Sequence, residues 1–376
     1  LNLNTCRFLW KQVKFPLAAD ASNAAVQVLK EGEVQGSDVA AHSAGVLDIR
    51  TNILADTDAL YLTAIDKYGH ELWRWTFPVE KLNQQSEPIS FLSIRPTYTE
   101  TENDLIVKAN KRTFIFSKKD GQLKGVSVDN RKISFANGPR FIGARRADRS
   151  LDQFYNHDDE KAKEKDRTYS EFPDAAVFTK LDVKQDGGDL IVTANYKLGN
   201  LDKAQWTINP SGDLALDYTY NFSGVVDLMG IRFDYPEDQV ISKRWLGAGP
   251  YRVWQNRIHG TQYDIWENDY NDPIPGETFT YPEFKGYFGN VSWMNIQTKE
   301  GTISLTNETP DSYIGVYQPR DGRDRLLYTL PESGISVLNV IPPVRNKVNS
   351  TDLCGPSSQP KWVNGPQTGR VIFRFM

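Results

Sequence analysis

Trp245-Leu246-Gly247-Ala248-Gly249-Pro250-Tyr251-Arg252-Val253-Trp254-Gln255-Asn256-Arg257 packs two glycines, a proline, three aromatics and two arginines into thirteen residues behind a strand-like run. Glycine lets a backbone turn sharply, and proline interrupts a strand ladder. Aromatic faces beside guanidinium donors suit a sugar ring or a partner loop. The stretch therefore reads as a turn closing a strand, with its side chains available either for recognition or for packing.

Around it the chain reads as β almost throughout. Leu60–Ile65 and Glu71–Phe77 are strand patterns joined by the glycine-containing turn Asp66-Lys67-Tyr68-Gly69-His70. Phe114–Phe116, Asp120-Gly121 and Leu123–Val128 predict a hairpin about an Asp-Gly turn. Asp186-Gly187-Gly188-Asp189 precedes a strand over Leu190–Tyr196, and Asn209–Asp213 precedes one over Leu214–Tyr220, whose apolar residues alternate. Gly301 separates two further strands. Turn signals recur roughly every 10–20 residues with hardly any helical periodicity, so the fold class is all-β and the architecture a β-sandwich. The charged tract His157–Arg167 reads as a solvated loop or a short exposed helix, and the acidic, proline-containing tract Glu267–Glu277 as a loop. A domain boundary is expected between Gln84 and Thr99, with a new hairpin series beginning at Asp104.

With 376 residues, two domains or one large β domain with a smaller one are expected. Aromatics reach 12%, which favours strands. A net charge of −4 gives no broad attraction to nucleic acid or to an anionic membrane, and no apolar run is long enough for a membrane-spanning helix. The two cysteines, Cys6 and Cys354, stand at opposite ends and are expected to be unpaired thiols. Leu1–Trp10 lacks the features of a signal peptide and reads as the interior of a strand, so the chain is expected to begin mid-protein.

These landmarks resemble the C-terminal part of family-two glycoside hydrolases, the β-galactosidase group. Trp245–Arg257 is similar to the G-x-G-P-x-E-x-Y-x-D-R signature of that group. Phe116–Leu123 resembles its opening hairpin. Asn137-Gly138-Pro139-Arg140-Phe141 with Arg145-Arg146-Ala147-Asp148 resembles its G-P-R…W-R-A-P-T-D-N-D element, and Tyr281-Pro282-Glu283-Phe284 with Val291-Ser292-Trp293-Met294 resembles its P-Q-E…W segment. The resemblance implies an immunoglobulin-like sandwich over residues 1–90, followed over 91–376 by the small-chain domain, a large sandwich of the galactose-mutarotase-like type. It also implies a catalytic barrel as partner, carried elsewhere in the same protein, and a periplasmic or secreted bacterial setting. The chain itself would be non-catalytic. The departures concern the substrate. Arg252 stands where the signature has Glu and Asn256 where it has Asp. The region of G-G-D-x-S-W holds Asp352-Leu353-Cys354-Gly355-Pro356, with no matching Trp before Trp362.

Chemistry at the residue level narrows the choices. Hydrolysis of a glycosidic bond uses two carboxylates roughly 5–10 Å apart, and the resemblance places that pair on the barrel; no catalytic residue is assigned here. The mutarotase-like type implies an epimerase as a further reading, with a histidine as acid and a carboxylate as base, but of His42, His70, His157 and His259 only His259 lies near the signature. Asp264, Glu267, Asp269 and Asp272 lack the spacing of a calcium loop, so neither metal nor other cofactor is assigned. No nucleophile elbow, phosphate loop or dinucleotide fingerprint occurs. Carbohydrate, an oligo- or polysaccharide, is the expected ligand. Trp254, Arg257, Tyr263, Trp266 and Glu283, with Arg140 and Arg145 beside them, are the candidate contacts. The same side chains equally suit packing or an interface with the barrel. An independent carbohydrate-binding module is the alternative to a supporting role.

Overall fold

The computed structural model describes residues 2–18, 24–79, 94–146, 169–269, 286–317, 331–343 and 356–376. The chain divides into two compact units, Leu1–Pro88 with Gln262–Ile265, and Ile89–Thr261 with Trp266–Met376. The boundary expected from the sequence falls largely within residues 80–93, outside the described residues, as do the charged tract 157–167 and Cys354.

The first unit is built on one antiparallel sheet, in the order Gln27–Gln35, Arg7–Lys14, Ala59–Ile65 and Glu71–Pro78. Strand alternation sends Phe8 and Trp10 to one face, and the apolar set Cys6, Phe8 and Ala64 is covered by Val34, Leu47, Leu62 and Trp75. Leu47 comes from a loop. Among the described residues, the second layer on this face is the irregular segment 36–58, pinned by the fully buried Gln12. The Gln12 amide donates to Thr51 Oγ1 at 3.0 Å and to the Asn52 carbonyl at 2.8 Å. Its oxygen accepts from the Leu54 N–H and the Thr57 hydroxyl at 2.8 and 2.9 Å. A buried amide so fully used costs little to bury and fixes the loop it holds.

The expectation of a strand over Leu1–Trp10 is corrected here. Leu3–Thr5 is a 3-10 turn, and the strand starts at Arg7. The Asn2 side chain accepts from the Asn4 N–H at 3.0 Å, a local bond that competes with extension.

The second unit is a sandwich of two antiparallel sheets. Among the described residues one sheet runs Phe288–Gly289, Tyr313–Val316, Ile335–Val340, Leu228–Asp234, Ala136–Arg146, Leu123–Val128, Arg112–Ser117, Asp104–Ala109 and Thr97–Glu100. Tyr169–Glu171 and Arg131–Ile133 are added beside Ala136–Arg146 and Leu123–Val128. The other sheet runs Val177–Asp186, Asp189–Lys197, Leu201–Ile208, Leu214–Val226, Lys361–Phe375, Gly301–Asn307, Trp293–Thr298, Val240–Gly249 and Gln262–Asp269, this unit holding the last strand from Trp266 onward. The hairpin series starts one strand before Asp104, at Thr97. The Asp-Gly turn closes as expected, with Gly121 at φ 74° and its N–H on the Ser117 carbonyl at 2.9 Å.

Aromatic residues fill the space between the two sheets. Phe116 meets Trp206 at 5.9 Å, Phe141 meets Tyr220 at 5.4 Å, and Phe135 meets Phe373 at 5.0 Å. The high aromatic content is thus spent mainly on thickness of core. At one margin Glu300 ties the sheets together. Its carboxylate accepts from the Ser134 N–H at 2.8 Å, the Ser134 hydroxyl at 2.6 Å and the Tyr235 hydroxyl at 3.0 Å. Glu300→Ala removes three bonds to a charged acceptor, so a loss of about 2 kcal/mol is expected. Urea unfolding followed by tryptophan fluorescence checks it, and an unchanged midpoint would show the clasp to be idle.

Candidate functional site

The strand Val240–Gly249 delivers the signature loop. Trp245 is fully buried, lies edge-on to Phe288 at 4.8 Å and donates its ring N–H to the Ala248 carbonyl at 2.9 Å. Trp266 donates its ring N–H to the Gly247 carbonyl at 3.1 Å. Its ring lies against Gly249 so closely that any Cβ there would overlap it, which is why glycine is required. The peptides Gly138–Pro139 and Gly249–Pro250 are both cis.

Beyond Pro250 the loop folds down instead of projecting. Arg252 is 3% exposed, with its guanidinium 5.7 Å from the centre of the Phe288 ring. Val253 exchanges backbone hydrogen bonds with Tyr287 at 2.7 and 2.8 Å. Trp254 is fully buried and stands edge-on to Tyr287 at 5.7 Å, in a cluster with Ile142, Ala144, Leu228, Leu338 and Ile341. The Gln255 N–H donates to the Pro342 carbonyl at 3.1 Å, and its side-chain amide to the Gln359 carbonyl at 2.8 Å. Only then does the chain return to solvent, through a turn in which the Arg257 N–H donates to the Trp254 carbonyl at 2.8 Å; Arg257 and His259 are exposed.

The candidate contacts are therefore dispersed. Trp254 is buried and offers no open face. Trp266 is half-buried over the glycines, whereas Arg257 is exposed. Tyr263 belongs to the first unit, where its ring is edge-on to Phe15 at 5.8 Å. Arg140 is ion-paired to Asp234, which also accepts from the Asn137 amide at 3.0 Å. Arg232 lies opposite Arg140 in the register, and burial followed by that neighbouring charge pulls the Arg232 pKa down. Arg145 is half-buried on the same strand as Arg140, and Glu283 lies outside the described residues.

The expectation of a loop over Glu267–Glu277 is corrected for its first three residues. Glu267, Asn268 and Asp269 complete the strand Gln262–Asp269, with Asn268 buried, and 270–277 lie outside the described residues. Asp264 is 6% exposed and engaged. It accepts from the Tyr61 hydroxyl and from Arg74 at 2.8 Å, and Arg74 also covers the Tyr61 ring. Burial, then the bond to Asp264, pushes the Tyr61 pKa well up. Glu267 is ion-paired to Arg244 at 3.5 Å. Among the described residues no group of three His, Cys, Asp or Glu side chains is arranged around a common metal position. The sequence held no signal for the Tyr61–Arg74–Asp264 network, in which Asp264 lies 203 residues from Tyr61 and 190 from Arg74.

The model of the family described as beta galactosidase small chain matches residues 108–340, more than half of the 376. No curated protein matches the chain. Among solved structures, galactose 1-epimerase from Lactobacillus acidophilus NCFM is 10% identical, with 75% of this chain and 98% of that one covered and a TM-score of 0.43. The protein HI1317 is 8% identical, with 75% and 100% covered and a TM-score of 0.34. YeaD from Salmonella typhimurium is 8% identical, with 76% and 95% covered and a TM-score of 0.33.

Proposed function

We propose a non-catalytic role in carbohydrate processing, and its premise is that the chain belongs to the beta galactosidase small chain family. On this reading the chain is the C-terminal region of a family-two, β-galactosidase-like glycoside hydrolase. An immunoglobulin-like domain over 1–90 leads into a galactose-mutarotase-like sandwich over 91–376. The region supports the active site of a catalytic barrel and contacts its carbohydrate.

The observation that carries this reading is the fate of the signature loop. Trp245 and Trp254 are 0% exposed and Arg252 is 3% exposed, so its largest groups shape a surface from beneath. Acid–base catalysis needs groups that reach the substrate, and the Glu267 carboxylate, on the strand after the loop, is engaged by Arg244. A loop built in this way suits positioning better than proton transfer.

The test combines the chain with the separately produced barrel of its parent hydrolase and follows release of p-nitrophenol from a panel of p-nitrophenyl glycosides. The chain alone is expected to hydrolyse none, and its addition to raise the rate of the barrel. Hydrolysis by the chain alone overturns the non-catalytic role; an unchanged barrel rate overturns the supporting role.

A further inference from the structure

The outer face of the second unit's sheet, on the strands Leu201–Ile208, Leu214–Val226 and Lys361–Phe375, carries a recess of about 360 Å³. Two rows of register partners form its floor: Lys203, Thr219 and Thr368 in one, Asp217 and Arg370 in the other. Glu308 and Pro310 rise beside them as a wall. We propose that this recess binds a neutral saccharide, at a position separate from the loop Trp245–Arg257. The inference rests on the carbohydrate-contacting part of the proposed function and not on the barrel.

The wall is held in place by buried groups. Thr309 is 5% exposed, and its hydroxyl donates to the Arg370 carbonyl at 3.0 Å while accepting from the Arg370 N–H at 2.9 Å. Ser312, 4% exposed, donates to the Thr309 carbonyl at 2.8 Å and accepts from the Asn307 amide at 2.9 Å. The Asn307 oxygen accepts from the Thr309 N–H at 3.2 Å. Asn307, one of the chain's Asn-x-Ser/Thr positions, is thus a buried strut. A wall fixed in this way keeps the recess formed before a ligand arrives, which lowers the cost of binding.

The chemistry of the floor selects the ligand class. Arg370 is ion-paired to Asp217 and, at 3.0 Å, to Glu308. Burial alone would lower the Arg370 pKa, but the Asp217 bond and the two carboxylates raise it, so the guanidinium stays charged. Lys203 adds a second cation, and the four charges cancel. A charged ligand would have to compete with these pairs, whereas hydroxyl groups join them as further donors and acceptors. Asp217, Glu308 and Arg370 each keep 37–39% of the side chain exposed, within reach of a ligand. The Thr219 and Thr368 hydroxyls make no hydrogen bond to another described residue. Pro310 supplies an exposed apolar ring for the C–H face of a pyranose. The volume sits at the small end of ligand pockets, which run from roughly 300 Å³, and suits one or two sugar rings.

The test is ligand-observed NMR on the full 376-residue chain with D-galactose, D-glucose, D-mannose and lactose as probes, D-glucuronate as the charged arm, and backbone amide shifts as the map. Saturable binding of at least one neutral probe is expected, with shifts at Thr219, Thr368 and Arg370. Thr368→Trp places bulk in the recess at an exposed strand position that accepts aromatics and should weaken binding roughly tenfold or more. Lys203→Ala should weaken it less, and Trp362→Ala, at the exposed tryptophan, should leave it unchanged. No saturation by any neutral probe, binding indifferent to Thr368→Trp, loss with Trp362→Ala, or preference for glucuronate would each overturn the assignment. None of these readouts involves the barrel, so they stand or fall apart from the supporting role.

Discussion

Asp213→Ala is expected to cost about 3 kcal/mol or more, the scale for removing one partner of a largely buried ion pair. Asp213 and Arg374 keep 12% and 22% of their side chains exposed and meet in a two-pronged contact, both bonds 2.8 Å. The Asn209 oxygen accepts the Asp213 N–H at 2.9 Å, so the carboxylate also sits at the closure of the Asn209–Asp213 turn. Arg112 is adjacent, donating to the Phe375 and Ser211 carbonyls at 2.7 and 2.6 Å. Removing Asp213 therefore leaves two guanidinium groups facing each other at the end of the C-terminal strand. Asp213→Asn should cost less, because it keeps the shape and part of the hydrogen bonding.

The same pair gives the pH dependence its sign. Burial acts to raise the Asp213 pKa, but the hydrogen bonds and charge of Arg374, with Asn209 and Arg112, outweigh it, and the pKa lies below the ordinary carboxylate value. A group whose folded pKa is depressed contributes stability above its unfolded pKa, about 4. That contribution is lost as pH falls from there through the folded value. Urea midpoints of the wild type should thus decline below about pH 4 more steeply than those of Asp213→Ala. Parallel declines would remove Asp213 as the source.

Much of the second unit was legible because turns and alternation are local. Asp120-Gly121, Gly187-Gly188 and Asn209–Asp213 each sit where a strand reverses, and Leu214–Tyr220 buries every second residue as its pattern requires, with Ala215 buried in addition. What escaped depends on partners distant in sequence. Polarity made Glu267–Asp269 look like loop, yet pairing in the sheet holds these residues extended. Gln12 in a strand carries no mark that four groups between Thr51 and Thr57 will satisfy it. The candidate site was less legible still, because composition cannot tell a tryptophan that stacks on a ligand from one that fills a core. Trp254 and Trp245 are fully buried whereas Trp362 is 71% exposed, and nothing in their immediate neighbours distinguishes them. Asp217 and Arg370 were invisible as a pair for the same reason, since 153 positions separate them until the sheet sets their register.

Trp254→Ala separates packing from recognition more sharply than any other change in the signature loop. A buried tryptophan truncated to alanine typically costs 3–5 kcal/mol, since the ring's transfer free energy is lost and a cavity remains. The cavity would be lined by Ile341 and by Ile142, Ala144, Leu228 and Leu338, the last four on strands whose own pairing resists collapse into it. Tyr287 would also lose its edge-on partner. A drop of that size in unfolding free energy, with Trp254→Phe recovering roughly half of it, is the outcome expected of a core residue. Arg257→Ala, three positions on but exposed, should move stability by less than about 0.5 kcal/mol. If Trp254→Ala instead left stability intact while abolishing saccharide binding, the ring would be a recognition surface and the loop more than a support. The contrast between two neighbours in one turn makes the measurement decisive, because local backbone effects are shared and only burial differs.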